Sequence, residues 1–396
     1  MKYNILSIPD IHWGAIDPDE QIKSLEYIPE IIKTFSKNNT PINLVVIAGD
    51  YFDSKLPLNS REAIYAIKWL HSLVQLCYEL GVSKFRMFQG TLDHDNDQLD
   101  VFTSLKKQYN GDYFDIFMKT TIEETLDGMK CIYCPDETIE TSEYEDIYLN
   151  EIIQVKDIGF FHGSFDVVYG ELLATKPELL QRKNIIFRYS LWDKTILGPM
   201  ISGHWHDGKQ YDDLYYTGSP FRYKFNEDEP KGISFIQYDT EEKSYYYKKI
   251  TNPLCASYIT YDIYTNLVDD KSVYAKIVDD ICKKLESFKE TEYLNHKLRI
   301  VVHVVDDKPD NDVIISSLRQ NFINEKNVKI VIKNKLKDKI KKEEMKRNKE
   351  RQKTYDFVYD KNKEISEIIH DFILKSNKEM DIPLEFIENK IKSYIK

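Results

Sequence analysis

The sequence predicts an α/β fold, because strand and helix patterns alternate over its first hundred or so residues. The apolar run Leu44–Ile47 is typical of a parallel strand that is buried on both faces. Asp19–Lys37 and Leu58–Leu80 have helical spacing and would connect such strands. Later the chain changes to short strand patterns, at Asp115–Lys119, Lys130–Cys134, Ile158–Phe161, Leu214–Thr217, Ile233–Tyr238 and Ser244–Ile250. Together these patterns predict a core of two sheets flanked by helices.

Five apolar runs share a second feature, since each is followed by a histidine or an aspartate. The five endings are Asp10-Ile11-His12, Gly49-Asp50 with Asp53, Gly90-Thr91-Leu92-Asp93-His94-Asp95, His162, and His204-Trp205-His206. A single Asp after a strand is usually a helix cap, and a lone His is usually structural. Capping does not explain five such endings in one chain. Because parallel sheets bind ligands at the carboxyl ends of their strands, the endings predict a site at that edge.

The order of the endings, D-x-H, G-D-x-x-D, a G-[N/T]-x-H-D-like stretch, H and G-H-x-H, resembles the calcineurin-type metallophosphoesterases over about Met1–Tyr247. The stretch Gly218–Arg222, followed by Glu227 and Lys231-Gly232, further resembles the SbcD-type nucleases and their bacteriophage counterparts. Those nucleases are the DNA-cutting subunits of double-strand-break repair and recombination complexes. The resemblance implies a four-layer αββα core, a small α/β capping domain that contacts DNA, and a C-terminal helical tail.

Hydrolysis of a phosphodiester by two divalent ions needs them about 3.5–4 Å apart, where they supply a nucleophile and neutralise charge. Such a pair needs one bridging carboxylate, and Asp50 is the candidate because it lies at the centre of the strand order. Mixed oxygen and imidazole ligands favour manganese or iron over magnesium. The resemblance implies that Asp50 is joined by Asp10, His12 and His206 at the first ion, and by His162 and His204 at the second.

One stretch departs from the family pattern G-N-H-[D/E], because Gly90–Asp95 is two residues longer. By resemblance His94 is the catalytic histidine. If the residue beside His94 is kept, Asp93 replaces the usual Asn ligand; if the residue after the glycine is kept, Thr91 does. We favour Asp93, since a carboxylate is a good oxygen ligand and adjacency fixes its distance from His94. The nuclease branch often has His where Asp53 stands, so Asp53 is expected to orient its neighbours or the substrate.

The chain is expected to contain a nuclease domain (1–253), a capping domain (254–334), a charged linker (335–353) and a helical tail (354–396). The elements expected in the capping domain are Tyr258–Tyr264, Lys271–Phe288, Lys297–Val305, Asn311–Ile323 and Val328–Lys333. A packing or dimerisation role for this domain stays open. By resemblance the tail binds an SbcC-type coiled-coil ATPase, and the chain would act as a homodimer within a heterotetramer.

The net charge of −11 argues against DNA binding by the whole surface. The charge is uneven, since residues 1–334 carry −15, Lys335–Lys353 carry +6 and Thr354–Lys396 carry −2. DNA binding therefore needs local patches, bound cations or a partner. No apolar run approaches the roughly 20 residues that span a bilayer, and a strand follows Met1 without a signal peptide. With five cysteines, an odd number, these features predict a cytoplasmic protein, in the host cytoplasm if it is viral.

The expected function is a manganese-dependent DNA nuclease with exonuclease or endonuclease activity. Two alternatives stay open at this point. One is a phosphatase or small-phosphodiester hydrolase on the same metal centre. The other is a scaffold subunit that binds DNA ends and the ATPase but cuts weakly or not at all. The altered stretch Gly90–Asp95 is the feature that favours the scaffold.

Overall fold

The structure is a computed structural model that describes residues 1–136, 156–168, 186–225, 227, 229–265, 271–289, 291, 296–304, 310–322 and 325–334. The expected linker (335–353) and tail (354–396) lie outside these residues, as does most of Thr175–Lys194, for which the sequence predicts a helix and a loop. Among the helices of the described residues, none is long and apolar enough to cross a membrane.

The strands, in chain order, are β1 (Lys2–Ile8), β2 (Leu44–Ala48), β3 (Lys84–Phe88), β4 (Phe114–Phe117), β5 (Thr121–Leu126), β6 (Met129–Cys134), β7 (Ile158–His162), β8 (Ser164–Phe165), β9 (Ile186–Phe187), β10 (Met200–Gly203), β11 (Lys209–Tyr211), β12 (Leu214–Tyr216), β13 (Gly232–Asp239), β14 (Ser244–Thr251), β15 (Tyr258–Tyr264), β16 (Lys297–Val304) and β17 (Val328–Asn334). The helices are α1 (Pro18–Leu25), α2 (Tyr27–Lys37), α3 (Arg61–Glu79), α4 (Thr103–Tyr113), α5 (Tyr189–Trp192), α6 (Lys271–Lys289) and α7 (Asp310–Phe322), with a 3-10 helix at Asn96–Phe102.

Two six-stranded sheets form the centre of the fold. The first has the order β14-β13-β1-β2-β3-β4, in which β1 to β4 run parallel. The second has the order β11-β12-β10-β7-β6-β5, in which β6, β7, β10 and β12 run parallel. Each sheet therefore presents the carboxyl ends of several strands at one edge.

The two sheets pack face to face through an apolar core. Val46 and Phe88 of the first sheet belong to one buried cluster with Tyr133, Phe160 and Ile201 of the second. The other face of the first sheet is covered by buried residues of α2 and α3, and the other face of the second by an aromatic cluster that includes Trp192. The mixed α/β architecture that the sequence predicts is confirmed.

The single helix predicted at Asp19–Lys37 is wrong, because the chain forms two helices that meet at Glu26. Proline removes the amide that a helix would bond and its ring clashes with the carbonyl four residues earlier. Pro29 lies four residues after Leu25, where α1 ends. Helix α2 can contain Pro29 because this proline lies in the first turn of the helix, where amides have no partner within the helix.

Strand β5 was not predicted from the sequence. It pairs antiparallel with β6, with a shift in register between Glu124 and Leu126. Its charged residues hide it from a search for apolar runs. One of them has a structural partner, since Glu123 Oε1 lies 2.7 Å from the Nε of buried Arg86 on β3.

The chain divides into two compact units, of which the first contains Met1–Asp262, Asp270–Val301 and Arg319–Val331. The second contains Ile263–Asp269, Val302–Leu318 and Ile332–Lys396. Strands β15, β16 and β17 form a three-stranded sheet in that order. The strand predicted at Tyr258–Tyr264 is confirmed with the same bounds, and the other elements predicted in residues 254–334 are found within one residue at either end.

Candidate metal centre

The strand endings that the sequence singled out converge at one place in the first unit. The amide of His12, after β1, donates to the carbonyl of Asp50, after β2, at 2.9 Å. The second sheet reaches the same place, because His162 Nδ1 donates to the Ala48 carbonyl at 2.9 Å. The amide of His204, after β10, donates to Asp10 Oδ1 at 2.8 Å. Four strands from two sheets thus deliver their polar endings to a common edge.

Backbone strain collects at these endings. Asp10, His12, Asp50 and His204 have φ of 52°, 50°, 47° and 81°. Few non-glycine residues adopt this left-handed region, and each costs on the order of 1–3 kcal/mol. In the part of the chain that the structure describes, only three other non-glycine residues have positive φ. Strain of this kind tends to collect at functional sites.

Two glycines allow the endings to approach each other. A Cβ on Gly49, where φ is +79°, would lie 2.2 Å from His162 Nδ1. A Cβ on Gly90 would lie 2.0 Å from the backbone nitrogen of Asp50. Neither position has room for a side chain, since real Cβ atoms essentially never come this close to other atoms. Gly49 is therefore required by the close packing of the His162 ring, and Gly90 by the close packing of Asp50.

Three overlapping groups of side chains each bring their ligand atoms within 4.8 Å of one another. They are Asp10, His12 and His206; His12, Asp50 and His94; and Asp50, His162 and His204. Asp50 belongs to two of them, and its Oδ2 lies 3.1 Å from His162 Nε2 and 3.6 Å from His12 Nε2. His204 and His206 fall in different groups, because the positive φ of His204 interrupts the extended alternation of the strand.

The donor atoms of these groups fit a divalent cation. Asp10 Oδ2 is buried without a hydrogen-bond partner, and so is His162 Nε2. Because His162 Nδ1 donates to a carbonyl, Nε2 of the neutral ring carries a lone pair, and this lone pair faces a carboxylate oxygen of Asp50. His12 Nε2 and His206 Nε2 likewise face each other at 3.1 Å. Such contacts are unfavourable unless a proton or a cation lies between the atoms, and imidazole with carboxylate is a usual ligand set for transition metals.

The charge states of the groups also suit a cation. Burial alone would raise the pKa of Asp50, but the His162 imidazole, with His12 and His94, lowers it below the ordinary value. Burial and then the positive charge of His162 lower the pKa of His204 to about 4. Burial opposes a charge on His162, yet Asp50 outweighs burial and raises the pKa of this imidazole. A metal ion would therefore displace a proton from His162 and find Asp50 ionised and His204 neutral.

His94 and Asp53 lie beside His12. His94 Nδ1 donates to the Asp53 carbonyl, and the His94 ring meets the His12 ring edge-on with centroids 4.7 Å apart. The carboxylate of Asp53 approaches the other side of the His12 ring, with Oδ1 3.3 Å from Nδ1. Asp53 is therefore placed to hold the orientation of His12.

The structure does not bring Asp93 into any of the three groups, and its side chain is exposed. Thr91 lies next to Asp50 instead: its amide donates to Oδ1 at 2.6 Å and its hydroxyl donates to Oδ2 at 3.3 Å. Asp95 explains this arrangement. Its buried carboxylate accepts from the amides of Tyr51, Phe52 and Gly90 at 2.9, 3.0 and 2.7 Å, which ties the Gly90 loop to the loop after β2.

This placement predicts that Thr91→Val weakens Mn²⁺ binding by about 10-fold, the lower end of what a lost partner of a metal ligand costs. Asp93→Asn should bind Mn²⁺ like the parent chain. Both substitutions nearly conserve side-chain volume, so titration calorimetry on the two variants compares them directly. The reverse order, with Asp93→Asn the weaker binder, would establish Asp93 as the ligand.

Two residues near the centre were missed in the sequence. Tyr223 is 7 % exposed, and its hydroxyl lies 2.7 Å from His206 Nδ1 and 2.6 Å from Nε2. It follows the Gly218–Arg222 motif directly, yet nothing local marks it. Asp136 is buried just after β6, and burial raises its pKa to about 6. A sixth strand ending of the same kind was available at Cys134-Pro135-Asp136 and would have found it.

The fold and the site together define an α/β protein with clustered histidines and aspartates that could hold a metal ion. A comparison with models of protein families and a search of curated proteins find no match to this chain. Its function therefore has to be proposed from the geometry of the site.

Proposed function

We propose that this chain is a metal-dependent DNA nuclease, the cutting subunit of an SbcCD-type complex for double-strand-break repair or recombination. The observation that carries the proposal is the sharing of Asp50. It joins His162 and His204 in one ligand group, and its Oδ2 also lies 3.6 Å from His12 Nε2, in the group of Asp10 and His206. Hydrolysis of phosphodiesters at a pair of metal ions uses such a shared ligand.

The architecture supports the same proposal. The two sheets face each other, with helices on the outer face of the first, as expected of a four-layer αββα metallophosphoesterase core. The motif residues Gly218, Glu227 and Lys231 lie around His206 rather than elsewhere on the surface. This location supports the SbcD-type branch of the family over a protein phosphatase.

The first ion would be held by Asp10, His12 and His206, the second by His162 and His204, with Asp50 shared between them. When bound, the ions would supply Lewis acidity toward the phosphate and toward the attacking water. The four imidazoles in this donor set favour Mn²⁺ or Fe²⁺ over Mg²⁺, and Mn²⁺ is the ion that we propose.

His94 is assigned the proton transfer. Its Nδ1 is engaged with the Asp53 carbonyl, so Nε2 is the nitrogen that can release and accept a proton. We assign to Nε2 the protonation of the oxygen that leaves when the phosphodiester breaks. Asp53 keeps His12 in place, and Thr91 holds both oxygens of Asp50.

The partners follow from the same proposal. DNA would lie across the metal centre and contact the capping domain (254–334), and residues 354–396 would bind an SbcC-type ATPase. The working complex would contain two copies of the chain in a heterotetramer and act in the cytoplasm. Residues 1–334 carry an acidic net charge that by itself repels DNA, so the proposal requires bound cations, local basic patches or the ATPase partner to offset it.

We expect the purified chain to cut labelled linear double-stranded DNA with Mn²⁺, more slowly with Mg²⁺ and not with EDTA. A small aryl phosphodiester is assayed beside the DNA. Turnover of the small ester alone would contradict the nuclease proposal and favour a phosphatase or small-phosphodiester hydrolase. No turnover of either substrate, with two ions demonstrably bound, would favour the DNA-end-binding scaffold or a subunit that needs its ATPase.

A further inference from the structure

His206 is held from several sides by residues outside the ligand groups. Its carbonyl accepts from the amide of Ser219 at 3.1 Å and from Lys231 Nζ at 2.7 Å. Its ring Nδ1 lies 3.4 Å from Glu227 Oε1. A Cβ on Gly218 would lie 2.6 Å from the His206 carbonyl oxygen, so the backbone after β12 packs directly against it. Backbone and ring of this one histidine are therefore both fixed by the segment between β12 and β13.

Glu227 and Lys231 form a buried ion pair behind His206. Glu227 Oε2 and Lys231 Nζ lie 3.4 Å apart, and the two side chains are 7 % and 0 % exposed. Removing two charges from water costs several kcal/mol each, and a buried pair often stabilises a fold no better than apolar residues of the same size. A contribution to the stability of the fold therefore does not explain why two charged residues are buried at this position.

We propose that Glu227 and Lys231 position His206 and thereby set the affinity of one of the two metal ions. The Glu227 carboxylate faces Nδ1 of His206 at 3.4 Å and favours a proton on that nitrogen, so that the lone pair of the ring lies on Nε2, 3.1 Å from Nε2 of His12. The Tyr223 hydroxyl also lies beside this ring, 2.6 Å from Nε2. Lys231 neutralises Glu227 and fixes the His206 backbone. The inference rests on the proposed metal centre, and it predicts an effect on the ion of Asp10, His12 and His206 alone.

The test measures Mn²⁺ binding by the full-length, metal-free chain with titration calorimetry. Glu227→Gln should bind one ion about 10- to 100-fold more weakly than the parent and the other ion unchanged. Glu229→Gln is the matched control, because it removes an exposed carboxylate two residues away and should bind both ions like the parent. His206→Ala identifies the affected ion: adding Glu227→Gln to it should cause no further loss.

A double variant separates positioning from a merely structural ion pair. Lys231→Met leaves Glu227 buried without its cation, so this single variant should lower the midpoint of thermal unfolding. Glu227→Gln/Lys231→Met removes both charges and should raise the midpoint above that of Lys231→Met, since no unpaired charge is then buried at Glu227. If the pair positions His206, the Mn²⁺ ion that Glu227→Gln binds weakly is also bound weakly by the double variant. If both ions bind the double variant, or Glu227→Gln, as tightly as the parent, the proposal is overturned.

These measurements are made without DNA, so they separate this inference from the proposed nuclease function. A parent chain that binds two Mn²⁺ ions but cuts no DNA, with one ion weakened by Glu227→Gln, contradicts the nuclease and supports the positioning role. A parent chain that binds fewer than two ions overturns the positioning role, because the proposal requires a second ion whose affinity is unchanged.

Discussion

Asp50→Asn is expected to abolish the binding of both metal ions and, with it, all hydrolysis. Asp50 is 2 % exposed and lies within 3.1 Å of His162 Nε2 and 3.6 Å of His12 Nε2, so no water can replace its charge. Losing an outer partner of a ligand already costs 10- to 100-fold in affinity, and losing the shared carboxylate should cost more than about 100-fold for each ion. Titration with Mn²⁺ and the DNA cleavage assay measure the two effects.

Asparagine is the informative replacement because it tolerates the left-handed conformation at this position, where φ is 47°. Alanine would add backbone strain to the loss of charge. Asp127→Asn, which changes an exposed carboxylate on the turn between β5 and β6, is the matched control and should behave like the parent. An unchanged circular dichroism spectrum of metal-free Asp50→Asn shows that the fold is intact. Two ions bound with parental affinity to this variant would refute the role of Asp50.

The ligand groups could be predicted because their signal is local. Each candidate ligand follows an apolar run, and the parallel arrangement of strands then brings the endings to one edge without further information. Asp10, His12, Asp50, His162, His204 and His206 were all found this way, and all six lie in the three groups. The break between α1 and α2 also has a local signal in the sequence, which is Pro29.

Residues set by tertiary contacts could not be predicted. The sequence leaves Thr91 and Asp93 open and favours Asp93, whereas the structure places Thr91 beside Asp50. The position of Thr91 depends on Asp95, whose carboxylate accepts from three amides of two loops. Tyr223 and Glu227 lie about 20 residues after His206, and only the path of the chain between β12 and β13 brings them to its ring. Spacing along a sequence fixes distances within one strand or helix, and it does not fix distances across a loop.

His94→Ala is expected to keep both metal ions and to lose hydrolysis of DNA by about 10²- to 10⁴-fold, the usual contribution of a positioned acid or base. The structure makes the result informative, because a nitrogen of His94 lies within 4.8 Å of ligand atoms of His12 and Asp50 and could serve as a ligand instead. Loss of an ion in His94→Ala, measured by calorimetry, would establish that role and contradict the acid. His71→Ala is the matched control, since His71 lies partly exposed on α3 and should be dispensable.

Hydrolysis rates on two substrates with different leaving groups also distinguish an acid role of His94 from a ligand role. The alkoxide that leaves from DNA needs a proton as the bond breaks. An aryl oxide is a better leaving group and needs much less help from an acid. Removing the acid should therefore slow DNA hydrolysis far more than hydrolysis of an aryl phosphodiester. Removing a ligand would weaken the charge that stabilises both reactions and slow them to a similar extent. Equal losses on the two substrates, with or without loss of an ion, would exclude proton transfer by His94.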